Sequence, residues 1–269
     1  MVTIMLTRIS TAAVALAAFL PVLYFSGTIV FPIIMALLCV VGIYELYGCI
    51  NMKQCRAMYL FSLAAAAVFP ITARCQPRLI ISLAILLVCV TLAVSVFGYS
   101  KYKADILGFT CFETLVILLG ISLMVVVRDR EPLRYLLIFV AAWTTDTFAY
   151  FSGIAFGKKK LCPEISPKKT VAGAIGGAAG CVISFIIFGI ICNGFFDKSY
   201  SLWLLAAIAV PLSVIGQVGD LAASAVKRHY GVKDFGKLFP GHGGVLDRFD
   251  SILPITLLAF ILTEIYTIC

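Results

Sequence analysis

Leu79 to Tyr99 reads LIISLAILLVCVTLAVSVFGY, a run without one charged residue. A helix crosses the hydrocarbon core of a bilayer with about 20 largely apolar residues, so this stretch alone is long enough to span. Outward from it, similar apolar runs occupy about 9–26, 28–50 and 58–73 on one side. On the other side they occupy about 109–127, 132–156, 171–196, 201–226 and 245–267. The expected fold is all-α, a polytopic membrane helix bundle with about nine transmembrane helices. Only Ser26-Gly27 divides the first two runs, so eight is the alternative count.

Composition agrees with lipid as the solvent. Of 269 residues, 62% are hydrophobic and 13% charged, with mean hydropathy +1.08. A water-soluble chain this apolar would expose large sticky patches. The first run, just after Arg8, has the length of a signal peptide but no small-residue cleavage site, and is expected to be retained.

The 21 lysines and arginines divide unevenly among the links. With the N-terminus inside, 15 of them, including Lys53, Arg56, Lys101 and Lys158–Lys160, fall on the cytoplasmic side, against 6 opposite. That follows the positive-inside rule. The net charge of +8 thus gathers at one membrane face, where it attracts anionic headgroups. No nucleic-acid motif accompanies it. The ten cysteines form no Cys-x-x-Cys pair and lie mostly in apolar runs, so neither a disulfide framework nor a zinc site is expected.

Polar content divides the chain into two domains. Residues 1–131 read as a membrane scaffold, with possible dimer or lipid contacts. Glu45 and Glu113 are its acids at membrane depth, near span ends, where a structural or interfacial role is expected. Residues 132–269 carry polar side chains and glycines within their spans and two cytoplasmic loops, 157–170 and 227–244. Loops on a helical scaffold commonly carry function, which makes this the catalytic domain. The small residues from Gly173 to Gly180 suit close helix contact in lipid.

The richest stretch is QVGDLAASAVKRHYGVKDFGKLFPGHGGVLDRFDS, beginning at Gln217. Asp220, Ser224, Lys227 and Arg228 are spaced to share one helix face, and Asp247 and Asp250, three apart, to share another. Between them Pro240-Gly241-His242-Gly243-Gly244 is a loop whose backbone N–H groups can surround an anion, ahead of a helix N-terminus. Carboxylates beside phosphate-binding cations make sense around a divalent ion. Mg²⁺ takes one or two carboxylates plus substrate phosphates, and it stabilises charge on a departing pyrophosphate. Ordinary interfacial ion pairing is the plainer account, but acids this near hydrocarbon are costly.

A second constellation joins Asp146 and Tyr150, one turn apart, to Ser166-Pro167-Lys168-Lys169-Thr170. Paired lysines can meet phosphate as point charges. Gly153-x-x-x-Gly157-Lys158 is one residue short of a P-loop and places Lys159 where Ser or Thr is needed, so that motif is rejected.

Ser224-x-x-Lys227-Arg228, Lys233-Asp234-x-Gly236 and Pro240-Gly241-His242-Gly243-Gly244-x-x-Asp247-Arg248-x-Asp250 together resemble, without a gap, the signature of phosphatidate cytidylyltransferases. Asp146-Thr147-x-Ala149-Tyr150 and Ser166–Thr170 also look like that family, and the likeness covers about 140–269. Two positions depart from it. Ala172 stands where the family usually has Glu, and Ile154 follows Gly153 where Arg is frequent.

The resemblance implies an enzyme that makes CDP-diacylglycerol and pyrophosphate from CTP and phosphatidate, with Mg²⁺ required and a second, monovalent cation left open. It puts Asp220, Lys227, Asp247, Arg248 and Asp250 at the catalytic centre, with Asp220 and Asp247 on the metal and Asp250 as the alternative ligand. Ser224, Arg228, Lys233, Asp234, Gly241, His242, Gly243 and Gly244 would bind substrate. Asp146, Lys168 and Lys169 would border the lipid phosphate or support the pocket. It also implies a homodimer in a bacterial cytoplasmic membrane, with phosphatidate entering from the bilayer. Two rivals stay in view: another membrane CTP-dependent phosphotransferase such as a polyprenol kinase, and an ion-coupled transporter.

Overall fold

The computed structural model describes residues 17, 19–239 and 243–268, the last four by backbone alone. Arg8 and most of the first apolar run lie outside them, as do Gly241 and His242 of the glycine-rich loop. Long helices dominate because a backbone in hydrocarbon must satisfy its own N–H and C=O groups, and a helix does so within one segment. Among the described residues, seven are long and apolar enough to cross a membrane. They are α1 (Val30–Cys49), α2 (Arg56–Cys75), α3 (Leu79–Phe97), α4 (Ala104–Arg130), α5 (Leu136–Phe156), α6 (Val171–Phe195) and α7 (Leu202–His229). The chain is therefore an all-α membrane bundle, with one small exception described below.

The chain forms two compact units, one of residues 1–130 with 229–249, the other of 131–228 with 250–269. In the first, α1 packs on α2 and α4, and α2 also contacts α3 and α4. Met35, Cys39, Ile43 and Leu46 of α1, Met58 and Phe69 of α2, and Leu118 and Met124 of α4 are buried there. Tyr47 and Ser62 share a buried hydrogen bond of 2.8 Å, which satisfies both hydroxyls without water. At one end of the bundle, the Arg74 guanidinium bonds both oxygens of Asp129 and the carbonyls of Ser26 and Thr28. The Leu79–Phe97 helix that announced the fold is mostly exposed and faces its apolar solvent.

In the second unit, α5 and α6 make the most extensive helix contact. The small residues of α6 are the reason. A Cβ on Gly177 would lie 2.8 Å from the Thr145 carbonyl, and one on Gly180 would lie 2.1 Å from the Phe148 ring. Small residues let backbones approach this closely when lipid supplies no hydrophobic drive between helices.

Two sequence expectations are corrected. The 157–170 loop contains an antiparallel hairpin, β1 (Lys160–Cys162) and β2 (Ser166–Thr170), with a register shift between Lys160 and Cys162. Pro163 and Pro167 disfavour helix here, and the short pairing satisfies the backbone instead. The last apolar run is not one helix. It divides into α8 (Leu246–Phe249) and α9 (Ile252–Ile268), with Asp250 and Ser251 in the turn between. The Asp250 side chain accepts the Ser251 N–H at 2.9 Å, a local bond that competes with helical pairing. Asp247 and Asp250 therefore do not share a helix face.

Candidate active site

The site residues belong to both units, and each set has its own local architecture. In the second unit, α7 carries Asp220, Ser224, Lys227 and Arg228 along one unbroken helix, as their spacing requires. Asp146 lies near the middle of α5, and Lys168 and Lys169 lie on β2. A cavity of about 510 Å³ brings Asp146, Tyr150, Lys168, Lys169, Thr170 and Gln217 to one lining. Thr170 holds the corner: its side chain accepts the Gly173 N–H at 3.1 Å and so caps α6. The β2 lysines are thereby fixed to the start of a long helix.

Charges in this unit are paired across elements. Lys169 Nζ lies 2.5 Å from Asp220 Oδ2, joining the hairpin to α7. Lys227 Nζ lies 3.9 Å from Asp250 Oδ2, with both side chains largely buried. Burial, then the negative charge of Asp220, pushes the Asp250 carboxyl up to about 7, against the pull of Lys227. Hard carboxylate oxygens of this kind fit Mg²⁺, which needs few protein ligands. Among the described residues no three His, Cys, Asp or Glu side chains converge as a complete metal cage.

Gln217, which no motif singled out, lines the same cavity and donates to the Ala174 carbonyl and to Ser213 Oγ. Ser213 in turn bonds Thr145 at 2.9 Å. Its signal in the sequence was an amide within an apolar span, one turn before Asp220.

In the first unit, Asp247 organises the glycine-rich segment. Its Oδ2 accepts the N–H groups of Phe235 at 2.8 Å, Gly236 at 3.4 Å and Gly244 at 2.9 Å. Gly243 has φ +84° and faces Asp247 so closely that a Cβ there would lie 2.7 Å from Oδ2. The anion that these backbone N–H groups surround is thus a carboxylate of the chain itself. The helix N-terminus expected to receive phosphate is also engaged. It opens only the four-residue α8, and the N–H groups of Val245 and Leu246 go to Glu45. A buried N–H must find an acceptor, and Glu45 supplies it. Lys233, Asp234 and Arg248 are exposed around this segment.

The cytidylyltransferase family model matches residues 6–266. Phosphatidate cytidylyltransferase of Staphylococcus haemolyticus is 35% identical over 258 residues, covering 93% of this chain and 95% of the relative. The enzymes of that name from Staphylococcus epidermidis and Staphylococcus aureus are 36% and 35% identical with the same coverage. The match extends through the N-terminal helices, well beyond the motifs that first carried the likeness. This chain belongs to the cytidylyltransferase family.

Proposed function

We propose that this chain is a phosphatidate cytidylyltransferase, transferring the cytidylyl group of CTP to phosphatidate. The unbroken Ser224–Asp250 pattern, in a chain that matches enzymes of that name over 93% of its length, carries the reading. A phosphate oxygen of phosphatidate attacks the α-phosphorus of CTP. The bond to the β-phosphate breaks, giving CDP-diacylglycerol and pyrophosphate.

The chain's own residues hold and orient. Lys168 and Lys169 present positive charge to the cavity that Asp146 and Tyr150 also line, a place suited to the lipid phosphate. Lys227, Arg228, Lys233 and Arg248 bind the phosphates of CTP. Asp247 keeps the glycine-rich segment folded so that its basic neighbours are presented together. Mg²⁺, when bound, polarises the α-phosphoryl group and offsets charge on pyrophosphate. Asp220 is its first proposed ligand. The family motif makes Asp247 the second, and Asp250, three residues on in the same motif, is the alternative.

The substrates set the finer reading of the membrane. CTP is soluble, so 157–170 and 227–244 face the cytoplasm of a bacterial cell, while phosphatidate enters from the bilayer. Nine crossings follow if α9 and residues 9–26 join the seven long helices. The family likeness also carries a homodimer.

Nucleotide choice tests this function. Purified protein with phosphatidate and Mg²⁺ should form lipid nucleotide from CTP far faster than from ATP or GTP, releasing one pyrophosphate per lipid. Comparable product from ATP, or lipid phosphorylation without pyrophosphate, would contradict it.

A further inference from the structure

Glu45 is the one acid of α1, 6% exposed and distant in sequence from every motif. Both of its oxygens are acceptors. Val245 N–H donates to Oε1 at 3.1 Å and Leu246 N–H to Oε2 at 2.9 Å. The other limb of the loop reaches the same carboxylate. A Cβ on Gly236 would lie 2.1 Å from Oε1, and one on Gly244 would lie 2.3 Å from it. Both positions must be glycine for the backbone to pass this close. Asp247 bonds the same two limbs through Phe235, Gly236 and Gly244. Two carboxylates, one from a long helix and one from the loop itself, therefore close the loop at its base.

We infer that Glu45 is a positioning residue for the reaction: it clamps the loop limbs 233–239 and 243–247 to α1 and so preorganises the basic and glycine residues of those limbs for the nucleotide. This rests on the reading that the loop binds CTP. The clamp is suited to the task because Glu45 sits on the buried side of a long helix packed against α2 and α4, and a site mounted on a regular element keeps its geometry better than one on a loop. A loop already ordered does not spend binding energy on being ordered. Bonds from N–H groups to an ionised carboxylate are also stronger than neutral ones.

The full-length protein in detergent provides the test, with Glu45→Gln and, independently, Gly236→Ala. Glutamine keeps the shape but turns an NH₂ group toward one of the two N–H donors. A methyl at 236 displaces the carboxylate without altering charge. Without substrate, hydrogen exchange in peptides spanning 231–249 should rise about 10- to 100-fold, the worth of one charge-assisted hydrogen bond. Peptides of α5 and α6 should not change. KM for CTP should rise by a similar factor while KM for phosphatidate stays at the wild-type value. Glu45→Asp, one methylene short but charged, should fall between wild type and Gln.

Loop exchange unchanged in both variants would overturn the clamp. Faster exchange throughout α1–α4, with both KM values raised alike, would reduce Glu45 to general stability and overturn the positioning role. Faster loop exchange with an unchanged KM for CTP would overturn the assignment of the loop to CTP, and the positioning role with it.

Discussion

Asp220 is the first metal ligand of the proposed mechanism. It pairs with Lys169, and its charge opposes ionisation of Asp250. Replacing it by Asn keeps size and removes charge. That should lower turnover by on the order of 10²–10³, the cost of losing one well-placed electrostatic group. Asp247→Asn should be as damaging, for two reasons: a ligand is lost, and an amide oxygen accepts the N–H groups of Phe235, Gly236 and Gly244 more weakly than a carboxylate. Initial rates against Mg²⁺ concentration separate the two effects. A shifted Mg²⁺ requirement marks a ligand, while a lower plateau at unchanged requirement marks loop organisation. Asp250→Asn is the comparison, expected to be milder if Asp247 is the second ligand and equally severe if Asp250 is. Near-wild-type turnover in Asp220→Asn would place the metal on other carboxylates. At this scale, the motif residues were legible because an acid or lysine near hydrocarbon needs a reason. The second partner of each was not. Nothing in the sequence near Glu45 points to Val245 and Leu246, because the contact joins segments about 200 residues apart.

The helices were legible as elements because lipid allows few alternatives, and the seven long ones lie close to the apolar runs that announced them. The breaks were harder to see. The hairpin at 160–170 and the turn at Asp250–Ser251 come from proline restriction and from a side chain competing for a backbone N–H, both local effects beneath the apolar pattern. The α5–α6 seam offers a matched pair for test. Gly180→Ala places a methyl 2.1 Å from the Phe148 ring and should destabilise the protein by about 1–3 kcal/mol, as overpacking usually does. Gly194→Ala, on the same helix, meets nothing within 4 Å and should be neutral or stabilising by up to about 1 kcal/mol. Thermal unfolding of the two variants in one detergent measures the difference. Equal effects would mean that the seam is looser than the structure has it.

For the molecule as a whole, membrane residence and family follow from the sequence and its relatives, while sidedness rests on charge and substrate solubility. Single-cysteine variants test the sidedness. Cys162, on β1, should react with an impermeant thiol reagent in inside-out vesicles only, and Cys75, exposed at the end of α2, in intact cells only. Labelling of Cys162 from outside would reverse the proposed topology and put the loops 157–170 and 227–244 away from CTP. The most direct measurement of the central claim follows the phosphorus atoms of CTP. Purified protein receives phosphatidate, Mg²⁺ and CTP labelled with ³²P at either the α or the γ position. Cytidylyl transfer predicts that α-label enters the organic phase as CDP-diacylglycerol and γ-label stays in water as pyrophosphate. A lipid carrying the γ-label would identify a CTP-dependent kinase instead, and no labelled lipid from either would contradict the account.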